Sequence, residues 1–118
     1  MNKSTFSYYV SELEDLRPHI REICRISAEN RADIRVWAAG CSTGEKAYAL
    51  AILFSQTLAG EEHPPAVQVF ATDIDEQALA VARQGWYPDE ALQNLSTELL
   101  DRYFLKLDQG YKVNTQLR

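Results

Sequence analysis

The sequence predicts an α/β fold with parallel strands and flanking helices. Two apolar runs of strand length, 34–39 and 66–72, are separated by a helical pattern over 44–58. A strand, a crossover helix and a second strand in this order form a right-handed unit in which the two strands are parallel. Glycines follow the first run directly, where such a unit has to turn sharply from strand to helix.

Length and composition indicate one ordinary globular domain. The 118 residues are 46% apolar and 25% charged, with a net charge of −5 and scattered basic residues. We therefore expect no nucleic-acid partner and no insertion into a membrane. No apolar run reaches the length of a membrane span or a secretory signal. Cys24, Cys41 and two distant histidines form neither a disulfide framework nor a metal site, so we expect a cytoplasmic protein without metal.

The first thirty residues show a helical pattern with one apolar face. The apolar positions recur every three or four residues and are expected to be buried. They are Val10, Leu13, Leu16, Ile20, Ile23 and Ile26. Pro18 interrupts this run, and proline fits the first turn of a helix but clashes inside one. We expect a break near Arg17 and a second helix from Pro18.

The later elements are delimited by local signals. Asp75 is a good N-cap and Gly85 a good stop for a helix between them. The elements beyond it are a short helix from Ser96, a turn at Gly110 and an extended piece over 111–113. Four aromatic residues on apolar periods are predicted to lie in the core. They are Trp37, Tyr48, Phe54 and Phe70.

The glycine loop lies in AAGCSTGEK, residues 38–46. Gly40 and Gly44 have three residues between them, which matches neither a dinucleotide fingerprint nor a phosphate-binding P-loop. Glu45 would lie in the first turn of the next helix, where an acid favours the helix dipole but repels a phosphate. The loop is therefore suited to a ligand without phosphates.

Two acids follow the second strand in VFATDID. An acid at this place, here Asp73, can accept hydrogen bonds from both hydroxyls of a ribose. Together with the loop it suits a nucleoside that carries an uncharged or cationic group, and S-adenosylmethionine fits that description. The alternative is that the glycines merely turn the chain and Asp73 merely caps a helix.

Two segments carry a resemblance to a known family. RVWAAGCSTGEKAYALAILF at 35–54 and VFATDIDEQALAVARQGWYP at 69–88 closely resemble the CheR family of chemotaxis receptor methyltransferases. The similarity extends to STF near residue 4, LSTELLDRYF at 95–104 and GYKVNTQLR at 110–118. Ala47 and the Trp-Tyr-Pro at 86–88 resemble the CheR segments of long CheB/CheR-type fusion proteins.

The resemblance implies a fold, a reaction and a partner. The fold is a Rossmann-like methyltransferase fold, of which this chain holds the N-terminal half of the sheet. The reaction transfers a methyl group from S-adenosylmethionine to glutamate side chains, leaving S-adenosylhomocysteine, and the partner is the cytoplasmic domain of a chemoreceptor. A carboxylate attacks a sulfonium in this reaction, so in-line positioning in a water-poor site supplies most of the acceleration.

The resemblance also implies the site residues. The loop from Ala39 to Gly44 cradles the methionine end of the cofactor, and Asp73 holds its ribose. The expected cofactor-binding residues are Thr5, Ala39, Gly40, Cys41, Ser42, Thr43, Gly44, Glu45, Lys46, Asp73 and Ile74. Tyr8 takes the catalytic position at which the family's N-terminal motif has arginine. Lys46 stands where the family has a glutamate that meets the cofactor's ammonium group.

The family pattern continues beyond Arg118, so we expect one truncated catalytic domain over 1–118. Its expected parts are a helical segment 1–30, a cofactor-binding βαβ unit 34–85, and a helix with an extended tail 86–118. We expect these residues to be inactive on their own. The open edge of the first strand is expected to pair with a second copy or with Tyr111 to Leu117. The alternative function is a degenerate, non-catalytic module that serves folding or protein contacts.

Overall fold

The helices and strands follow the predicted order as far as residue 85. The computed structural model of the protein describes residues 5–93 and 95–114. The helices are α1 Thr5–Glu12, α2 Arg17–Asn30, α3 Glu45–Leu58, α4 Glu76–Gln84 and α5 Thr97–Tyr103. The strands are β1 Ile34–Ala39, β2 Val67–Thr72, β3 Trp86–Pro88, β4 Phe104–Lys106 and β5 Gly110–Val113. Short 3-10 helices cover Leu13–Leu16 and Asp89–Leu92.

Local signals fix several of these boundaries as predicted. A 3-10 turn separates α1 from α2, and Pro18 lies in the first turn of α2. The Asp75 carboxylate caps α4 by accepting two backbone N–H groups of its first turn, both over 3.1 Å. Gly85 ends α4 in the left-handed conformation, with φ +69°. The predicted helix break and the predicted α4 cap are therefore confirmed.

Strands β1 and β2 form a parallel pair with α3 as the crossover. The register runs from Ile34 opposite Val67 to Ala39 opposite Thr72. The residues that alternate toward one face pack against α2, α3 and α4. They are Ile34, Val36, Ala38, Val67, Val69 and Ala71. The predicted parallel α/β unit is confirmed.

Two of the predicted core aromatics are on the opposite face of this sheet. Trp37 is 71% exposed and Phe70 48% exposed, so their assignment to the core is wrong. Among the described residues, all covering helices lie on the other face, and the alternation of a strand points these two side chains away from it. Phe54 is buried and Tyr48 half-buried, as predicted.

The buried stripe of α2 also differs from the prediction. Leu16, Ile23 and Ile26 are exposed, whereas the buried positions of α2 are Ile20, Cys24 and Ser27. A three-residue step falls about 60° short of a full turn, so Ile23 and Ile26 drift away from the face on which Ile20 lies. Cys24 and Ser27, at i+4 and i+7 from Ile20, stay on that face.

A three-stranded antiparallel sheet packs beside α1 and α3. The sequence analysis predicted an extended piece at β5 but neither of the other two strands. The strand order of the sheet is β3-β5-β4. Its core residues are Phe6, Ile52, Tyr87, Leu92, Leu95, Leu99, Tyr103, Phe104 and Val113. Because 111–113 pair with β3 and β4, their predicted return to the edge of β1 is wrong. Residues 115–118 of that expected strand lie outside the described residues.

Candidate functional site

The carboxyl ends of β1 and β2 bring the predicted ligand-binding segments together. Ala39 and Thr72 form the last pair of the parallel register. The glycine loop, residues 40–44, leads from that point to α3, and Asp73 to Asp75 lead to α4. Ligands of open parallel sheets bind at this edge, beyond the ends of the strands.

The glycine loop folds back over the end of β2. Gly40, Ser42 and Gly44 all have positive φ, at +67°, +54° and +102°. The Cys41 N–H donates to the Thr72 carbonyl over 3.0 Å, and the Gly44 N–H donates to the Cys41 carbonyl over 3.0 Å. The first bond ties the loop to the end of β2, and the second closes a tight turn over 41–44 in which Ser42 and Gly44 are left-handed.

Asp73 connects this loop to the second strand. One carboxylate oxygen accepts the Ser42 N–H over 2.7 Å, and the other accepts the Asp75 N–H over 2.9 Å. These N–H groups, that of Asp75 first, hold the pKa of Asp73 below its usual range. Each oxygen keeps a further lone pair. The carboxylate can therefore hold the loop and still accept hydroxyl groups of a ribose.

The two loop glycines have different surroundings. A Cβ added to Gly40 would meet no atom within 4 Å. A Cβ added to Gly44 would lie 2.7 Å from the Ala82 Cβ and 2.8 Å from the Tyr87 hydroxyl oxygen. The backbone is therefore open to a ligand at Gly40, whereas Gly44 packs tightly onto the protein. The Asp73 carboxylate holds the loop two residues beyond Gly40, at Ser42.

Tyr87 contacts the glycine loop, although the sequence analysis did not include it among the expected site residues. Its side chain is buried, and its hydroxyl donates to the Thr43 carbonyl over 2.5 Å. Beside it, the Tyr48 hydroxyl donates to the Ala82 carbonyl over 2.7 Å. The sequence signal that could have indicated it is the aromatic pair Trp86 and Tyr87, directly after Gly85. The sequence pattern does not show which of the two side chains contacts the loop.

The start of α3 carries both predicted charged residues. Glu45 and Lys46 are half-buried in its first turn, and the Thr43 hydroxyl donates to the Glu45 carboxylate. Cys41 is buried, and burial together with the Asp73 charge raises the pKa of its thiol. A thiol of raised pKa is a poor nucleophile, which favours a packing role for Cys41 in the loop.

The remaining predicted site residues differ in position. Ile74 is fully exposed next to Asp73. Thr5 begins α1, but its side chain lies outside the described part of the chain. Tyr8 is 56% exposed, and its hydroxyl donates to Glu12 on the same helix over 3.1 Å. The loop is therefore hydrogen-bonded to Asp73, whereas the hydrogen bond between the Tyr8 hydroxyl and Glu12 lies within α1.

A groove of about 930 Å³ lies between α3, β2 and α4. Gly44 lines one end of it, whereas Gly40, Ser42 and Asp73 are not among its described lining residues. The groove therefore lies beside the glycine loop, on the side of the sheet that the helices cover, and not beyond the strand ends where ligands of open parallel sheets bind. Within 5–93 and 95–114, no cluster of three metal-ligating side chains is found. No helix of this part is long and apolar enough to cross a membrane.

The family model described as "CheR methyltransferase, SAM binding domain" matches residues 2–118. The chain belongs to the CheR methyltransferase family. Its cofactor is S-adenosylmethionine, and its α/β arrangement is part of the Rossmann-like methyltransferase fold. The predicted family, fold and cofactor are confirmed.

Relatives of this CheR chain include two proteins named for chemotaxis. Chemotaxis protein methyltransferase 2 of Pseudomonas aeruginosa is 38% identical over 75% of this chain and 31% of its own length. The chemotaxis protein methyltransferase of Escherichia coli is 43% identical over 63% of this chain and 25% of its own length. An uncharacterized 104.1 kDa protein of Rhodobacter capsulatus is 34% identical over 72% of this chain and 9% of its own length. The CheR chain thus spans a third or less of these proteins.

Proposed function

We propose that this chain forms the cofactor-binding part of a methyltransferase that methylates glutamate side chains in the cytoplasmic domains of chemoreceptors. The observation that carries this proposal is the Ser42–Asp73 hydrogen bond, which joins the glycine loop to the ribose-binding acid. Family membership and the names of the P. aeruginosa and E. coli relatives support it. The comparisons do not favour the non-catalytic alternative.

The residues of the site have separate roles in this proposal. Bound S-adenosylmethionine supplies a methyl group on a sulfonium, which a carboxylate of the receptor can take up directly. Asp73 accepts the ribose hydroxyls, and the loop from Ala39 to Gly44 cradles the methionine end. Ile74, exposed beside Asp73, adds an apolar contact to the nucleoside. These groups position the cofactor, and positioning is the main requirement of this reaction.

Two further proposals concern the protein as a whole. We propose that 1–30, 34–85 and 86–118 act as helical, cofactor-binding and tail segments of one cytoplasmic catalytic domain. We also propose that this domain lies within a long fusion protein of the CheB/CheR type. The R. capsulatus relative supports the second proposal, because its matched segment is 9% of a 104.1 kDa protein.

Calorimetric titration tests the cofactor part of the proposal. The longest soluble form of the protein is titrated with S-adenosylmethionine, S-adenosylhomocysteine and, as a control, a pyrophosphate-containing dinucleotide. We expect both sulfur ligands to bind and the dinucleotide to fail, because the loop lacks the spacing of a pyrophosphate cradle. Failure of both sulfur ligands to bind would contradict the proposal.

A methyl-transfer assay tests the reaction. Labelled S-adenosylmethionine is incubated with the protein and a chemoreceptor cytoplasmic domain, and base-labile label is counted. Methyl esters of glutamate release their methyl group in base, whereas methylated lysine does not. A receptor whose methyl-accepting glutamates are changed to alanine is the control. Cofactor binding without any base-labile label on the receptor would leave the family assignment standing and overturn the substrate.

A further inference from the structure

Tyr87 is buried at the junction of the two layers of the molecule. It is the middle residue of β3 and is 2% exposed. Its ring meets Phe6 edge to face at 4.9 Å and Tyr48 at 6.3 Å. These contacts fix the ring from α1 and from α3, so the hydroxyl has a defined direction.

That direction is toward the underside of the glycine loop. The Tyr87 hydroxyl donates to the Thr43 carbonyl over 2.5 Å. A Cβ on Gly44 would lie 2.8 Å from the same hydroxyl oxygen, so the hydroxyl takes the space that a side chain there would need. Burial, with the nearby Glu45 charge, raises the pKa of Tyr87. The hydroxyl therefore stays protonated and donates over the whole working pH range.

The loop needs such outside support. Ser42 has a φ of +54°, a left-handed conformation that costs free energy in a residue other than glycine and persists where the surroundings hold it. From the strand side, Asp73 accepts the Ser42 N–H. From the opposite chain segment, Tyr87 holds the carbonyl of the very next residue. The two peptide groups on either side of the Ser42–Thr43 bond are therefore held by two partners that lie 14 residues apart in the chain.

We propose that Tyr87 is a positioning residue that holds the glycine loop in the shape in which it binds S-adenosylmethionine. This inference rests on the proposed function of the loop. Tyr87 itself acts through Thr43 and does not touch the cofactor. Its removal should loosen the loop and weaken cofactor binding without a comparable effect at distant sites.

Tyr87→Phe removes the hydroxyl and keeps the ring. Tyr103→Phe is the matched control, because Tyr103 is also buried and its hydroxyl also makes a hydrogen bond, to Ser55 of α3 over 3.0 Å and not to the glycine loop. Ser55 lies about 15 Å along α3 from Glu45. We expect Tyr87→Phe to weaken S-adenosylhomocysteine binding about three- to tenfold in calorimetry, the loss of one hydrogen bond. Tyr103→Phe should leave binding unchanged at a similar melting temperature.

Amide hydrogen exchange in the ligand-free protein gives a second readout. Exchange at 42–44 should become faster in Tyr87→Phe and stay unchanged in Tyr103→Phe, a local effect that a general loss of stability does not produce. If Tyr87→Phe fails to fold, 3-fluorotyrosine at position 87 of the unsubstituted sequence replaces it, and its fluorine resonance should shift when S-adenosylhomocysteine binds.

The outcomes separate the two proposals. All these measurements use the full-length protein, and an unsubstituted full-length protein that does not bind S-adenosylhomocysteine overturns the proposed function and the role of Tyr87 with it. A protein that binds, with the two variants equal in affinity and in loop exchange, overturns the role of Tyr87 alone. An unmoved fluorine resonance at position 87 has the same meaning.

Discussion

The carboxylate of Asp73 accepts the backbone N–H of Ser42 over 2.7 Å, joining the end of β2 to the loop that follows β1. Its other oxygen accepts the Asp75 N–H, so the same side chain also fixes the turn into α4. The acid that was predicted for the ribose is therefore part of the loop's own structure. Substitutions at Asp73 should affect both the loop and the ligand.

Asp73→Asn should weaken S-adenosylhomocysteine binding by about tenfold or more. Asparagine removes the charge and one of the two acceptor oxygens, so the Ser42 N–H and the ribose compete for the remaining one. Asp33→Asn is a matched control, because Asp33 accepts the Ala66 N–H at the opposite end of the strands over 3.2 Å. Calorimetry measures both. Equal affinity in the two variants would remove Asp73 from the binding site.

The contribution of Asp73 to stability should depend on pH with a definite sign. Its folded-state pKa is lowered from 3.8 by the N–H groups of Asp75 and Ser42. A lowered pKa means that the carboxylate stabilises the fold above its unfolded pKa and that this contribution is lost as pH falls through the folded pKa. Urea unfolding should show a constant difference between the native protein and Asp73→Asn from pH 7 to about 5 and a shrinking one below about 4. A difference that grows on acidification would contradict the assignment.

Gly44→Ala should destabilise the protein more than Gly60→Ala. Both glycines have similar φ, at +102° and +91°, so the cost of the left-handed conformation, about 1–2 kcal/mol, is shared. A Cβ at Gly60 meets no atom within 4 Å, whereas one at Gly44 is 2.7 Å from Ala82. Overpacking should add about 1–3 kcal/mol to the loss in Gly44→Ala, measured by urea unfolding. Equal losses in the free energy of unfolding of the two variants would show that the loop shifts to make room for the added Cβ at no cost.

The 118 residues alone should bind S-adenosylmethionine weakly or not at all. They span a third or less of the length of the relatives described above, and Lys46 presents a positive charge where the family has an acid. A submicromolar dissociation constant in calorimetry for this chain would contradict the expectation.

A double substitution at the two positions that differ from the family should strengthen S-adenosylmethionine binding in the full-length protein. Lys46→Glu with Tyr8→Arg restores the family residues at both positions, and an acid in the first turn of α3 also favours the helix dipole. Lys46→Gln with Tyr8→Arg is the control that removes the positive charge without adding an acid. No gain from the first pair would show that these positions do not correspond to those of the family.

Local patterns predicted much of the fold, and long-range pairing accounts for most of what they missed. Proline, cap and glycine signals around Pro18, Asp75 and Gly85 act within a few residues, so the boundaries of α2 and α4 follow from the sequence. Strands β3 and β4 have three residues each and exist only because β5 pairs with both. A segment that short has no periodicity of its own.

The candidate site also combines features that local patterns predict with features that depend on long-range contacts. The loop and Asp73 are visible in the sequence because each directly follows an apolar strand, and the structure joins them. Tyr87 reaches the loop from 44 residues away, through a sheet that no local pattern predicts. Trp37 was misplaced because an apolar strand does not show which of its faces is covered by the described helices.

The edge of β1 provides the last prediction. Among the described residues β2 is its partner strand, and 111–113 pair with β3 and β4 instead. A strand edge that is not paired offers backbone N–H and C=O groups to another chain. Since the intrachain alternative is wrong for 111–113, we expect the 118-residue chain to self-associate through β1.

Light scattering should then give a mass that rises with concentration. The Ile34 N–H donates to the Ala66 carbonyl beside β2, so by strand alternation the N–H of Arg35 points to the opposite, open edge of β1. Arg35→Pro removes that N–H, and His63→Pro, in the exposed connection before β2, is the control. A monomeric mass at all concentrations would contradict pairing at this edge, and association that Arg35→Pro leaves intact would place it on another surface.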